Sequence, residues 1–446
     1  MTMKVAIIGA GPGGLVSAKY CVAEGYSVDI FEQNGSIGGV WVYSDYVDFD
    51  EDGFPLQAAM YKGLRTNVPK ELMEYSDFPY PKEIQASYLP AEEVLRYFNN
   101  YADKHKLRSL VKLRTRVTEV SPLEGERWFV KALNLEDNSV LCGTYDAIII
   151  ANGHHAEKII PNIPGKETFT GTQLHSKDFR KAKIFQDKKC LVVGMGLSGQ
   201  DVSKLLLAVT DKVFASYKMD NKIANLPQNL IEKPCVSRIE GSQVFFEDGT
   251  AEEMDVIIYC TGYKYCFPFL TNDCGIVVDS SKWVRPLYKE IVNIEHPTMC
   301  FIGLQFNLPV IAMFDLQARF FVSTLNGHFP LPSKSAMYED YEKQIANKRK
   351  LGIPLKHTHG MMLKELRKGY YEDVATTANI ARIPPVIINM FEKILEDRNK
   401  GEYRHIVYKI VSDSKFRMVL NGEKDFKPIV NDNKLSNSNI INGRHL

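Results

Sequence analysis

No uninterrupted apolar stretch in the sequence approaches the roughly 18 residues of a membrane-crossing helix. Runs such as Ala147–Ala151 and Val256–Tyr259 have the length of a buried strand, so a membrane span is not expected. No two of the eight cysteines form a C-x-x-C pair, which speaks against a disulfide reductase and a zinc ribbon alike. Charge of one sign is missing too. Fifty-five Lys and Arg against 54 Asp and Glu leave a net charge of +1, too little to draw in nucleic acid or an anionic lipid surface. There is no G-x-S-x-G nucleophile turn and no metal-ligating helix, so no metal is expected. The N-terminus enters a strand at Val5–Ile8 without the charged lead and long apolar run of a secretory leader. The reducing cytoplasm is the expected compartment. What is present is 446 residues, 45% of them hydrophobic, enough for two or three domains with ordinary cores.

Residues 5 to 31 read as strand, glycine turn, helix, strand. The apolar run Val5-Ala6-Ile7-Ile8 suits a parallel strand buried on both faces. Gly9-Ala10-Gly11-Pro12-Gly13-Gly14 then gives G-x-G-x-x-G, followed by a helix carrying Leu15, Val16, Ala18 and Val22 that Gly25 ends. In such a turn Gly9 permits the tight bend, Gly11 lets a pyrophosphate approach the backbone, and Gly14 lets helix and strand pack closely. Free N–H groups at the helix start bind the phosphates. Glu32, at the end of the strand Val28–Phe31, stands where an acid accepts hydrogen bonds from ribose hydroxyls. A second glycine pair follows in Gly38-Gly39-Val40-Trp41.

The pattern recurs about 185 positions later. Cys190-Leu191-Val192-Val193 leads into Gly194-Met195-Gly196-Leu197-Ser198-Gly199, then a helix through Asp201–Ala208 and a strand over Lys212–Ala215. Where the first unit has Glu32, this one has Ser216-Tyr217-Lys218. An acid there would repel a 2′-phosphate, whereas a hydroxyl and an ammonium can bind one, so NADPH is favoured over NADH, with Asp220 nearby as a counterweight. Asn152-Gly153 and Thr261-Gly262-Tyr263 close two further strands, as turns returning from an inserted domain do.

Between the two units Phe169-Thr170-Gly171-Thr172-Gln173-Leu174-His175-Ser176-Lys177-Asp178-Phe179 fits F-x-G-x-x-x-H-x-x-x-F. This resembles the identifying motif of the flavin-containing monooxygenases; the Baeyer–Villiger monooxygenases carry a similar motif that usually ends in Trp. Leu64–Met73 with Ser76–Pro79, Leu287-Tyr288-Lys289, Phe301–Leu304 and Gln317–Phe320 resemble further segments of the same family. The likeness extends to its soluble insect members, some of which oxidise plant alkaloids. Two positions depart from the pattern: Leu197 stands where Asn is usual, and Lys218 where Arg is commoner. The polar stretch Asn431–Leu446 replaces the hydrophobic anchor of the mammalian members.

The resemblance implies an α/β fold of two Rossmann-like dinucleotide-binding domains: a glutathione-reductase-like FAD domain (1–169 and 291–446) with an inserted NADPH domain (170–290). It implies that FAD meets Gly9, Gly11, Gly13, Gly14, Glu32, Gly39, Val40, Trp41, Thr66, Asn67, Val117 and Gln317. NADPH would meet Tyr61, Thr66, Gly194, Gly196, Leu197, Ser198, Gly199, Gln200, Ser216, Lys218, Thr261 and Gly262. Reduced flavin and O2 would form a C4a-hydroperoxide whose distal oxygen passes to a tertiary amine or a sulfide. Asn67 is the expected catalytic residue, its uncharged amide donating to the peroxide and accepting from the coenzyme. His175 is expected to act as a linker, and His154-His155 to line a nucleotide turn. Ketone oxygenation of the Baeyer–Villiger type and a non-catalytic FAD/NADPH redox sensor stand as alternatives. A small-molecule substrate with O2, and a homo-oligomeric assembly, complete the expectation.

Overall fold

The computed structural model describes residues 2–219, 223, 226–399, 403–420 and 427–429. Asp220 and the polar stretch 431–446 lie outside the described residues. Two parallel sheets organise the chain. The first has the strand order Leu287–Tyr288, Val292–Asn293, Met299–Phe301, Ala147–Ile150, Lys4–Ile8, Ser27–Phe31, Val111–Lys112. Its strands from Met299–Phe301 onward are parallel, while Leu287–Tyr288 and Val292–Asn293 add an antiparallel edge. The second is wholly parallel, in the order Leu230–Lys233, Val213–Ser216, Cys190–Val193, Val256–Tyr259, Thr172–His175. Its strands all come from 172–259, inserted between strands of the first.

Each central strand buries both faces, as its unbroken apolar run demands. Val5 and Ile7 join one core with the helices Pro12–Ala23 and Val310–Leu325. Ala6 and Ile8 join another, formed with Val117, Val120, Trp128 and Val130 of the antiparallel sheet Thr115–Leu123, Arg127–Asn134 and Val140–Tyr145. The second unit repeats this layering. Cys190 and Val192 pack with Val202 and Leu206 of the helix Leu197–Leu207. Leu191, Phe214 and Ile257 pack on Ile239, Val244 and Phe246 of the antiparallel strands beyond. The period-2 alternation of one four-residue strand thus serves two cores.

The C-terminal region was silent in sequence. Its helix Pro385–Asn399 and hairpin Ile406–Ser412/Lys415–Leu420 bury Met390, Phe391, Ile394, Tyr408 and Phe416 against Leu72 and Tyr88. This cover lies over the segment that begins at Thr66. Among the described residues no helix is long and apolar enough to cross a membrane.

Candidate active site

Both glycine turns sit at the carboxyl end of a strand where the sheet order reverses, between Lys4–Ile8 and Ala147–Ile150 in one sheet and between Cys190–Val193 and Val256–Tyr259 in the other. Doubly wound sheets bind ligands at such points. The glycines of the two turns divide into the same roles. A Cβ on Gly9 would lie 2.4 Å from the Ala151 carbonyl oxygen, and one on Gly194 would lie 2.7 Å from that of Cys260. Both have positive φ, +107° and +93°. A Cβ on Gly14 or Gly199 would strike the carbonyl oxygen of Gly9 or Gly194, at 1.9 Å and 2.0 Å. These four are glycine because the protein itself leaves no room.

The middle glycines differ. A Cβ on Gly196 would meet nothing within 4 Å, and one on Gly11 would only touch the Gly39 Cα at 3.6 Å. Their backbone angles (φ −66° and −76°) suit any residue. Each therefore leaves open space, a cradle, beside the start of its helix. Unpaired donors face it, since Leu15 is the first residue to bond back, to the Gly11 carbonyl at 3.0 Å, and Pro12 has no N–H. Gln200 is first in the second helix, bonding to Gly196 at 3.0 Å. The N–H groups of Gly13 and Gly14, and of Leu197, Ser198 and Gly199, are therefore presented outward with the positive end of each helix dipole.

Glu32 is buried, and its carboxylate accepts from the N–H of Ala10 and of Asn34, both at 2.9 Å. Burial pushes its pKa up, and these backbone donors oppose the rise. The Gln33 N–H adds to these donors, so Glu32 braces the first turn through its carboxylate. The second glycine pair folds back onto that turn: the Gly38 N–H donates to the Ala10 carbonyl at 3.0 Å, and a Cβ on Gly39 would lie 3.0 Å from the Gly11 Cα. Trp41 lines a neighbouring cleft of about 350 Å³ with Tyr43, Met60, Tyr61 and Leu95, while Val40 is exposed.

The linker motif resolves into packing. Phe169 enters the core of the second unit, and Gly171 has no space for a side chain, since its Cβ would lie 2.3 Å from the Asp255 carbonyl oxygen. His175 is buried; its Nδ1 accepts from the Lys177 N–H at 3.1 Å, so Nε2 carries the proton and donates to the Gly262 carbonyl at 3.1 Å. Burial lowers its pKa. Both ring nitrogens are engaged, so the ring is a neutral strut holding the Thr261-Gly262 turn. Phe179 stacks on Phe185 and meets the edge of Tyr61 at 5.8 Å.

Thr66 is buried, its Oγ1 accepting from the Leu89 N–H at 3.0 Å. Asn67 is half-buried, and its side-chain amide makes no hydrogen bond within the described chain. Its carbonyl is held by Arg398 at 2.6 Å. Arg404 donates to the Thr66 carbonyl at 3.1 Å and forms a fork with Asp201 on the second nucleotide helix, at 2.9 and 2.8 Å. Tyr61 reaches the same carboxylate at 3.2 Å. Sequence reasoning missed both arginines, which carry no motif.

With two such cradles joined by this linker, the comparisons with known proteins become decisive. The profile of the family described as flavin-binding monooxygenase-like matches residues 2–229 and 224–422. The chain belongs to the flavin-binding monooxygenase family. It is 32% identical over 438 residues to a senecionine N-oxygenase of Tyria jacobaeae, covering 95% of this chain and 94% of that one. It is 34% identical over 377 residues to the flavin-containing monooxygenase FMO GS-OX3 of Arabidopsis thaliana, covering 80% of each. Among solved structures, the S-allyl-L-cysteine S-oxygenase from Allium sativum superposes with a TM-score of 0.83 at 29% identity, covering 91% of this chain and 95% of that one.

Flavin is the cofactor of this monooxygenase family, and the first cradle fits one. The other expected contacts lie at varied depths. Val117 is buried beside a bulge in its strand, two residues from Thr115, whose N–H donates to the Glu32 carbonyl at 2.8 Å. Gln317 is fully enclosed. Its amide accepts from the Gly303 N–H at 3.0 Å and donates to Gln305 and Tyr370 at 2.7 and 2.6 Å, which places it behind the Gly303 turn. Gln200 donates within its own turn, to Met195 at 3.2 Å. Ser216 departs from the expected picture of a free hydroxyl. It is buried and donates to the Pro234 carbonyl at 2.8 Å, whereas Lys218 is exposed. His154 contacts the Gly303 carbonyl at 3.2 Å through Nδ1, and burial lowers its pKa to about 4.

Proposed function

We propose that this monooxygenase takes electrons from NADPH through FAD and uses O2 to form an N-oxide or S-oxide on a tertiary amine, an alkaloid or a sulfide. The observation that carries the reading is the second open cradle at Gly196, whose following strand ends without an acid: Tyr217 holds the place of Glu32, and the cation Lys218 comes next. A cation rather than an acid at this strand end suits a 2′-phosphate. Under this reading residues 1–169 and 291–446 form the FAD domain and 170–290 the NADPH domain. The relatives named for N-oxygenation and for S-oxygenation support the substrate class.

When bound, the flavin supplies oxygen activation. The chain's own residues bind, orient and shield. Gly9, Gly11, Gly13 and Gly14 with Glu32 hold the FAD pyrophosphate and ribose; Gly39, Trp41, Thr66 and Val117 complete that site. Gly194, Gly196, Leu197, Ser198 and Gly199 hold the coenzyme pyrophosphate, beside Thr261 and Gly262. Asn67 offers an uncharged, unengaged amide that can donate to a reacting oxygen without losing a proton of its own, and no side-chain nucleophile is needed. Location in the cytoplasm and assembly into a homo-oligomer are expectations, the second of which sedimentation would read. The test is product analysis with NADPH, O2 and a panel of tertiary amines, thioethers and ketones. N-oxide or S-oxide is expected; an ester from a ketone as the sole product would replace this reading with the Baeyer–Villiger one.

A further inference from the structure

We propose that the Asp201–Arg404 pair is a positioning device that registers Asn67 against the coenzyme helix and so decides how much NADPH ends in product rather than in hydrogen peroxide. The inference rests on the oxygenase reading above. Asp201 lies two residues beyond Gly199, on the helix whose first turn closes the second cradle. Arg404 comes from the C-terminal cover, 203 residues away. Its fork holds both carboxylate oxygens, and the same guanidinium donates to the carbonyls of Thr66 and, at 3.3 Å, Arg65. Arg398 takes the third carbonyl, that of Asn67. Two arginines thus fix the backbone of Arg65-Thr66-Asn67, and one of them is tied to the coenzyme helix.

The geometry favours precision of placement. A planar guanidinium bonded through two nitrogens fixes an angle as well as a distance, which an ammonium cannot do. The side chains of Arg404 and Asp201 are only 24% and 18% exposed, so salt screens them weakly. Tyr61 extends the chain of contacts from Asp201 to Phe179 of the linker motif. Any movement of the coenzyme helix away from Thr66 must break the fork and strand two charges. With registry kept, one NADPH, one proton, one O2 and one tertiary amine give one NADP⁺, one amine N-oxide and one water. With registry lost, one NADPH, one proton and one O2 give one NADP⁺ and one hydrogen peroxide, and the amine is left unchanged.

The experiment compares wild type with Asp201→Asn, Arg404→Met, Arg404→Lys, Tyr61→Phe and the Asp201→Asn/Arg404→Met double variant. Product and peroxide per NADPH are measured, together with NADP⁺ affinity by fluorescence titration, flavin content and thermal midpoint. In Asp201→Asn and Arg404→Met, product per NADPH should fall roughly tenfold with peroxide rising to match, an effect within the range of couplings between contacting residues. NADP⁺ should bind more weakly, the double variant should be no worse than either single one, and Arg404→Lys should recover only part of the yield. If Arg404→Met fails to fold, Asp201→Asn and Tyr61→Phe carry the test. Variants that keep their flavin and wild-type product yield, or single effects that simply add in the double variant, would overturn the proposal. A wild-type enzyme that oxygenates no amine or sulfide would instead overturn the functional reading beneath it.

Discussion

Replacing Gly196 by alanine separates a glycine kept for a ligand from one kept for the fold. The new methyl meets no atom of the protein within 4 Å, and the backbone there (φ −66°, ψ −171°) is open to any L-residue. The chain without coenzyme should therefore be unharmed, and even stabilised by about 0.4–1 kcal/mol because its unfolded state loses freedom. The methyl would project where the pyrophosphate approaches. Overpacking of this kind costs about 1–3 kcal/mol, so NADPH should bind on the order of 30-fold more weakly at about 2 kcal/mol. Gly199→Ala is the control, because its methyl would sit 2.0 Å from the Gly194 oxygen. That variant should lose several degrees of thermal midpoint with or without coenzyme, from the same 1–3 kcal/mol or more of overpacking. The assay is thermal melting beside a coenzyme titration on both variants. Normal NADPH affinity in Gly196→Ala would refute the reasoning, since the open space would then not be the coenzyme's.

Asn67→Ala should keep flavin and coenzyme yet lower kcat by about 10²–10³, the usual loss for one oriented donor; steady-state kinetics with flavin content checks it. Lys218→Ala should raise the KM for NADPH about tenfold, near 1.4 kcal/mol, and leave that for NADH unchanged, because only the former carries the 2′-phosphate. Glu74 gives a pH prediction: burial holds its carboxyl up at about 7, with Glu71 adding to the rise and the Tyr80 N–H and Lys70 opposing it. The folded state then binds more protons than the unfolded one between about pH 4.5 and 7. Stability should fall as pH rises through that window, by up to about 3 kcal/mol, then level off. Glu74→Gln should flatten this part of the melting profile; an unaltered slope would remove Glu74 as its cause.

The parts legible in the sequence were those that local chain geometry enforces. The two strand–turn–helix units, the acid at Glu32 and the motif His175 are each written within about thirty residues, because a tight turn needs glycine and a buried strand needs an apolar run. Ser216 shows what residue type alone leaves out. Its type suits a phosphate, but strand burial turns it toward the Pro234 carbonyl. What stayed hidden depends on segments distant in the chain. Arg398 and Arg404 reach Asn67 and Thr66 across 331 and 338 residues, and an arginine in a polar C-terminal stretch looks like any solvated one. The reason for Gly171 was equally out of sight, since the carbonyl that excludes a side chain belongs to Asp255.

The most direct test of the central claim is turnover under ¹⁸O2 with NADPH and a tertiary amine or thioether, followed by mass spectrometry. One labelled oxygen per molecule of N-oxide or S-oxide, formed in step with NADPH oxidation, is the predicted result. Flavin-loaded enzyme that oxidises NADPH but leaves every amine and sulfide unlabelled would contradict the account.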